Sequence, residues 1–149
     1  MLERYEVEAQ YTVSDWLNGS APVLGAWTRL SHSSMYLLPA NNGLEESLNE
    51  MSANPGKVFD LRNMIQQYCT GFDLVLIDAP PSLSALAWAA IIAADLVVVP
   101  TLLDRTSIKG TQNVLRQIAD LRDQIGMAPA MVGTIANMYD SRVDKHRAA

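Results

Sequence analysis

One carboxylate in this sequence stands where chemistry is expected. Asp78 follows an almost unbroken apolar run, residues 72–77, which is entered from Gly71 and is partly β-branched. Such a run is typical of a strand buried on both faces of a parallel sheet. Pro80 and Pro81 follow, and because proline lacks an amide donor they end the strand in a rigid turn. Ligands of open α/β sheets bind beyond the carboxyl ends of the strands, so we expect Asp78 to face the binding crevice.

An acid at the end of an apolar strand has two interpretations. It is the Walker B arrangement of P-loop proteins that hydrolyse nucleotides, in which the carboxylate helps to hold a magnesium ion. A strand-ending Asp is also a common turn former or helix cap. For the isolated pattern the capping interpretation is the more frequent one, so the choice depends on the surrounding sequence.

Three motifs, of which the first contains Asp78, follow one another along the chain. Leu-Ile-Asp-Ala-Pro-Pro-Ser-Leu-Ser at residues 76–84 leads into an alanine-rich helix. Ala-Asp-Leu-Val-Val-Val-Pro-Thr follows at residues 94–101, and Gly-Thr-Ile-Ala-Asn-Met-Tyr-Asp-Ser-Arg at residues 133–142. In this order the motifs strongly resemble the ParA-like partition ATPases, which are relatives of MinD.

The resemblance runs from about residue 11 to residue 147 and is most specific at residues 78–82 and 138–142. It implies a P-loop ATPase fold that is incomplete in this chain. It also implies ATP and Mg²⁺ as cofactors, with Asp78 as the carboxylate on the magnesium side. Pro80, Asp104 and Asn137 are the expected nucleotide contacts.

Two of these contacts lie after later predicted strands. Asn137 ends the last strand, where an amide can offer both an acceptor and a donor to an adenine edge; a plain turn role is equally common. Asp104 lies where this chain departs from the family. A Gln-Pro-acid turn is expected after Pro100, but Thr-Leu-Leu-Asp is found, so Asp104 is a candidate for the acidic position of that turn.

The elements that must position these residues alternate between helix and strand. Ser107 is the expected N-cap of a long amphipathic helix that Gly126 ends. The crossover lengths favour right-handed βαβ units, and thus a doubly wound, mostly parallel α/β sheet flanked by helices. The other predicted segments are a helix over 12–17, a strand over 35–39, helices over 44–51, 58–68 and 85–94, and strands over 96–99 and 130–136.

The composition suits one globular unit. A chain of 149 residues, of which 49% are apolar and 18% charged, can build a hydrophobic core, and we expect residues 1–149 to form a single, partial ATPase domain. One cysteine cannot form an internal disulfide, which favours a cytoplasmic protein. The most apolar stretch, residues 83–103, is interrupted by Asp95 and Pro100, so a helix followed by a strand is a better interpretation than a membrane span.

The charges are unevenly distributed. Residues 1–104 hold twelve acidic and four basic side chains, whereas residues 105–149 hold four acidic and seven basic ones. Such a gradient can mark a surface that approaches DNA or a membrane. Scattered solvated charges on helices are an equally good interpretation.

The family's phosphate loop is not found in this sequence. Members of the family begin with a strand and a glycine-rich loop that contains a lysine. Gly56 and Lys57 do not form such a loop, because Met51 stands where the first glycine belongs and Val58 where Ser or Thr should bind magnesium. We therefore expect this chain alone to hydrolyse ATP negligibly, and its sheet to have exposed edges that pair with another chain.

Three functions are consistent with these features. The first is a ParA-like ATPase that dimerises around ATP, binds DNA non-specifically and partitions a plasmid or chromosome with a ParB-type partner. The second is a nucleotide-independent interaction module. The third is a MinD-like membrane-organising ATPase, which would need a carboxyl-terminal amphipathic helix that is not recognisable before Ala149. The first is preferred, without membrane association.

Overall fold

A computed structural model of the chain describes residues 9–21, 26–80, 84–126, 129–140 and 142. A short 3₁₀ helix spans Pro55–Phe59. The elements are α1 (Val13–Leu17), β1 (Thr28–Arg29), β2 (Tyr36–Leu37), α2 (Leu44–Ala53), α3 (Asp60–Tyr68), α4 (Ala85–Ala93), β3 (Leu96–Leu102), α5 (Arg105–Ile125) and β4 (Met131–Asn137).

The strands β3 and β4 pair in parallel and are joined by α5. Their register runs from Leu96 opposite Met131 to Leu102 opposite Asn137. Helix α5 lies against one face of β3, where the Thr111 hydroxyl donates to the Thr101 hydroxyl oxygen at 2.7 Å. This parallel βαβ unit confirms the predicted α/β class.

The first turn of α5 is capped by Asp104, so the prediction of Ser107 as its N-cap is wrong. One carboxylate oxygen of Asp104 accepts from the backbone N–H groups of Thr106 and Ser107, both at 2.9 Å. The other accepts from the Ser107 hydroxyl at 2.6 Å. A carboxylate three residues earlier satisfies two otherwise unpaired helix donors, which is why the helix begins at Arg105.

An aromatic cluster forms one part of the core. The rings of Trp16 and Trp27 meet edge to face at 5.3 Å, and Trp27 meets Phe72 in the same way at 5.5 Å. Helix α1 is fixed beside them by a capping box, in which Thr12 and Asp15 bond each other's backbone N–H groups. The aromatic cluster therefore anchors both α1 and the beginning of the segment that leads to Asp78.

A short antiparallel hairpin of β1 and β2 packs near this cluster and is not predicted by the sequence. The strand expected over residues 35–39 is reduced to Tyr36–Leu37, which pairs with Thr28–Arg29. Each strand is only two residues long, so no alternation of apolar and polar residues could mark the pairing. The Tyr36 ring still reaches Phe72, with centroids 5.5 Å apart.

Helix α4 is the most deeply buried element. It packs against α2, α3 and the 3₁₀ helix, and Ala89 is completely inaccessible. The guanidinium of Arg62 in α3 donates to the carbonyl oxygen of Ile92 at 2.8 Å, which satisfies an acceptor of the last turn. Because most side chains of α4 are alanines, the neighbouring helices can approach it closely.

Residues 72–80 differ most from expectation. We call them the acid segment. The prediction that residues 72–77 form a strand buried on both faces is wrong, because Leu74 is 71% and Leu76 is 81% exposed. Within the described ranges, residues 73–80 form no backbone hydrogen bonds and belong to no ladder. The apolar sequence is that of a buried strand, but the described part of the chain supplies no strand beside it.

Candidate functional site

Asp78 lies near the end of the acid segment, as the sequence indicates. Its side chain is exposed, and it makes no hydrogen bond or ion pair with any residue that the structure describes. Pro80 is exposed two residues further on. Residues 81–83 lie outside the described part, so the structure locates only the first three residues of the motif at 78–82.

Asn137 ends β4, as predicted. Its side-chain carbonyl oxygen accepts a hydrogen bond from the backbone N–H of Met138 at 2.9 Å, and Met138 has a positive φ of 53°. A left-handed residue directly after the strand turns the chain sharply away. The Asn137 side chain is exposed and therefore accessible to a ligand, while its oxygen also holds this turn.

Asp104 lies at the same edge of the sheet as Asn137. The register places Asn137 opposite Leu102, and Asp104 follows two residues later as the cap of α5. Cap formation engages both carboxylate oxygens of Asp104. Its contact with a nucleotide stays a prediction, and the cap is its observed structural role.

The structure thus places two of the four predicted site residues at one edge of the sheet, and the other two, Asp78 and Pro80, lie in the acid segment. Asn137 and Asp104 share the carboxyl edge of the β3–β4 pair. Asp78 is connected to β3 along the chain through α4, but in the described ranges no ladder or hydrogen bond links the acid segment to β3. Within the described ranges, the acid segment is therefore not part of the β3–β4 sheet.

A paired Asp140 and Arg142 follow Asn137, and the sequence alone does not indicate this pairing. The Arg142 Nε donates to one oxygen of Asp140 at 3.0 Å, and Nη2 donates to the other at 2.8 Å. This side-chain hydrogen bond raises the pKa of the Arg142 guanidinium. An acid two residues before an arginine is too common a spacing to predict such a fork.

A magnesium ion with ATP fits only part of this arrangement. The described residues hold no cluster of three or more acidic, histidine or cysteine side chains that could enclose a metal. Mg²⁺ is commonly held by one or two carboxylates together with phosphate oxygens and water, so an unpaired exposed Asp78 suits it. A concavity of about 480 Å³ lies instead at the hairpin tip over residues 29–34, and none of the predicted site residues lines it.

A family model described as an AAA domain matches residues 3–130. The chromosome-partitioning ATPase Soj of Thermus thermophilus is 35% identical over 107 residues, which are 72% of this chain and 41% of Soj. The chromosome-partitioning protein ParA of Caulobacter vibrioides is 29% identical over 133 residues, which are 88% of this chain and 50% of ParA. The chain spans about half the length of the curated relatives it matches.

A solved structure agrees with this assignment. Cobyrinic acid a,c-diamide synthase from Mycobacterium smegmatis superposes with a TM-score of 0.81 at 28% identity, and the match covers 95% of this chain and 57% of the synthase. The synthase has also been solved with ADP and magnesium and with an ATP analogue and magnesium. None of the helices in the described part of this chain is both long and apolar enough to cross a membrane. Its sequence match and its fold together show that the chain belongs to the AAA domain family, among the ParA-like ATPases.

Proposed function

We propose that this chain carries half of the nucleotide site of a ParA-like partition ATPase. The observation that carries the proposal is the shared carboxyl edge of β3 and β4, where the register sets Asn137 opposite Leu102. A nucleotide base at this edge would meet the exposed amide of Asn137. Pro80 would border the phosphates, beside Asp78.

Asp78 is the residue that would act on the magnesium side. Its carboxylate has no partner among the described residues, so both oxygens are available to a water or a metal ion. Magnesium bound with ATP would neutralise charge on the phosphate oxygens during phosphoryl transfer. The contribution of Asp78 would be to orient that ion, directly or through a water molecule.

The partners proposed for the complete ATPase are a second copy, non-specific DNA and a ParB-type protein. Soj of Thermus thermophilus and ParA of Caulobacter vibrioides are chromosome-partitioning proteins that each match most of this chain, which supports this choice. The positive charge of residues 105–149 supports DNA, because Lys109 and Arg116 are exposed along α5.

A chimera tests this proposal. Residues 11–142 of this chain would replace the matching region of the Caulobacter vibrioides ParA, so that the remaining parts of the fold are supplied within one polypeptide. We expect the chimera to hydrolyse ATP in the presence of magnesium. Asp78→Asn should lower the rate about 10- to 100-fold, because that change removes the charge that orients the ion.

Asp73→Asn is the matched control, since Asp73 is also an exposed aspartate of the acid segment. Circular dichroism would establish that all three chimeras are folded. If the folded chimera hydrolyses ATP and both substitutions have equal effects, Asp78 does not have the proposed role. A folded chimera without magnesium-dependent hydrolysis would contradict the proposed function.

A further inference from the structure

The turn that joins β1 to β2 forms a concavity that none of the candidate nucleotide residues lines. We call residues 29–34 the hairpin tip. The concavity has a volume of about 480 Å³, which is within the usual range for sites that bind small molecules. Its lining residues are consecutive in the sequence: Arg29, Leu30, Ser31, His32, Ser33 and Ser34.

The hairpin tip is held by its own hydrogen bonds. The Leu30 N–H donates to the carbonyl oxygen of Met35 at 2.9 Å, which closes the turn. The Met35 N–H donates to the hydroxyl oxygen of Ser33 at 2.9 Å, and Arg29 Nε donates to the carbonyl oxygen of Ser33 at 3.1 Å. His32 has a positive φ of 57° in the middle of the turn. A hydrogen-bonded turn therefore presents the polar side chains of the tip.

These polar side chains can all donate hydrogen bonds to a ligand. Arg29, Ser31, His32 and Ser34 are exposed. Within the part of the chain that the structure describes, the hydroxyls of Ser31 and Ser34 have no hydrogen-bond partner and Arg29 forms no ion pair. A guanidinium, an imidazole and hydroxyls in one turn suit a ligand that has several acceptor oxygens.

The charge of the surrounding sequence favours an anion. Residues 16–44 contain no Asp or Glu, although the whole chain has 16 acidic residues and a net charge of -5. Arg29 is the only Lys or Arg in the same stretch. An anionic ligand at the hairpin tip would therefore meet a local positive charge on a protein that is acidic elsewhere.

A phosphate group matches these donors better than a carboxylate does. The guanidinium of Arg29 could bind the two oxygens of a carboxylate alone, through parallel N–H groups. A phosphate monoester has three acceptor oxygens and about twice the charge at neutral pH. The hydroxyls of Ser31 and Ser34 would then also have acceptors.

We propose that the hairpin tip binds the phosphate group of a small phosphomonoester. Arg29 would bind two of the phosphate oxygens, and Ser31, His32 and Ser34 would donate further hydrogen bonds to the group. The concavity is larger than a phosphate group, so the organic part of the ligand would occupy the rest of it. The inference goes beyond the proposed function and does not depend on it, because the two sites share no residue.

An NMR titration of the full 149-residue chain tests this site. Glycerol phosphate is the probe, added at constant ionic strength while the amide chemical shifts are recorded. We expect saturable shifts that are largest at residues 29–35, with a Kd of about 1 to 10 mM. Inorganic phosphate should shift the same amides, because both probes carry the phosphate group.

Substitutions assign the binding to individual side chains. Arg29→Gln should raise the Kd for glycerol phosphate at least about tenfold, because the charged donor is lost. Ser34→Ala should raise the Kd about three- to tenfold, and it removes no hydrogen bond that holds the turn. Arg105→Gln is the matched control, since Arg105 is an exposed arginine in the first turn of α5 and the same charge is removed. The control should leave the Kd unchanged.

Three results would overturn the inference. The first is a set of shifts that do not saturate, or that sodium chloride reproduces at the same ionic strength. The second is an equal Kd for Arg29→Gln and Arg105→Gln. The third is a shift of these amides by duplex DNA but not by glycerol phosphate, which would make the hairpin tip a nucleic-acid contact. The first and third are measured on the unsubstituted chain, so a variant with an altered turn does not decide them.

Discussion

At the level of single residues, Asp104 combines a structural role with a predicted functional one. Its carboxylate satisfies two N–H groups of α5. Asp104→Ala should lower the free energy of unfolding by about 1 kcal/mol, or the melting temperature by roughly 2 to 4 °C. Asp104→Asn should retain most of this stability, because asparagine is an equally good cap.

Thermal melts of the Asp104→Ala and Asp104→Asn variants distinguish the capping hydrogen bonds from the effect of the charge. If both variants lose the same amount of stability, the capping hydrogen bonds are not what stabilises α5.

Cys69 provides a test of burial. Its side chain is 8% exposed, and burial raises the pKa of the Cys69 thiol. At pH about 8 the folded chain should therefore hold less thiolate than an exposed cysteine and react more slowly with Ellman's reagent. The rate of reaction with Ellman's reagent should continue to rise at pH values above the ordinary pKa of a cysteine thiol, because the pKa of Cys69 is raised. The same chain in denaturant is the control, and equal rates in the two states would show that Cys69 is accessible.

The raised pKa also fixes the sign of a stability effect. The folded state favours the protonated thiol, so the contribution of Cys69 is fully present below the pKa of the unfolded thiol. That contribution is lost as the pH rises from there through the folded pKa. The free energy of unfolding should therefore fall as the pH rises through the pKa of the folded thiol. A Cys69→Ser variant should not show this fall.

Local sequence predicts some of these residue roles and not others. Thr12 is recognisable as a cap because its partner Asp15 lies three residues away. The cap of α5 is harder to place because Asp104 and Ser107 are both good capping residues within one turn, and only the backbone conformation distinguishes them. Asp78 and Asn137 can be placed at strand ends from the sequence, whereas the fork between Asp140 and Arg142 requires coordinates.

At the level of elements, α5 offers two glycines with opposite expected effects. Gly126 ends the helix in the left-handed conformation, with φ of 66°, and a side chain there is strained. Gly126→Ala should destabilise the chain by about 1 kcal/mol. Gly110 lies inside the helix, and a Cβ added there would have no neighbouring atom within 4 Å. Gly110→Ala should therefore stabilise the chain by about 0.5 to 1 kcal/mol.

Denaturant titrations of the two variants measure both effects, and each variant is the control for the other because the chemical change is identical. Destabilisation by both would mean that Gly110 has a contact that helix propensity does not describe. Stabilisation by both would mean that Gly126 is not held in the left-handed conformation.

An apolar pattern in the sequence predicts the helices of this chain better than its strands. Helices α3, α4 and α5 lie within a few residues of the ranges that the sequence predicts, because a helix satisfies its own backbone hydrogen bonds. A strand needs a neighbouring strand for its backbone hydrogen bonds. The acid segment has the sequence of a buried strand, but no described strand pairs with it and its leucines are exposed. The two strands of the hairpin are not predicted from the sequence, because strands of two residues are too short to show an alternation of apolar and polar residues.

At the level of the whole molecule, the sequence lacks the glycine-rich loop that would hold phosphates. We therefore expect thermal unfolding of this chain alone to show no shift when magnesium and ATP are added. A ligand at about 100 times its dissociation constant would stabilise by roughly 2.7 kcal/mol and raise the midpoint by about 5 to 10 °C. A clear magnesium-dependent rise would refute this prediction and mean that the phosphates find another set of donors.

The exposed leucines of the acid segment also have a consequence for the life of the protein in a cell. Apolar strands with unpaired backbone groups are what chaperones retain and what proteases degrade when a protein is incomplete. Leu74 and Leu76 would be recognised in this way whenever nothing covers them. The lifetime of the chain in a cell would therefore depend on the fraction of time that these two side chains are buried.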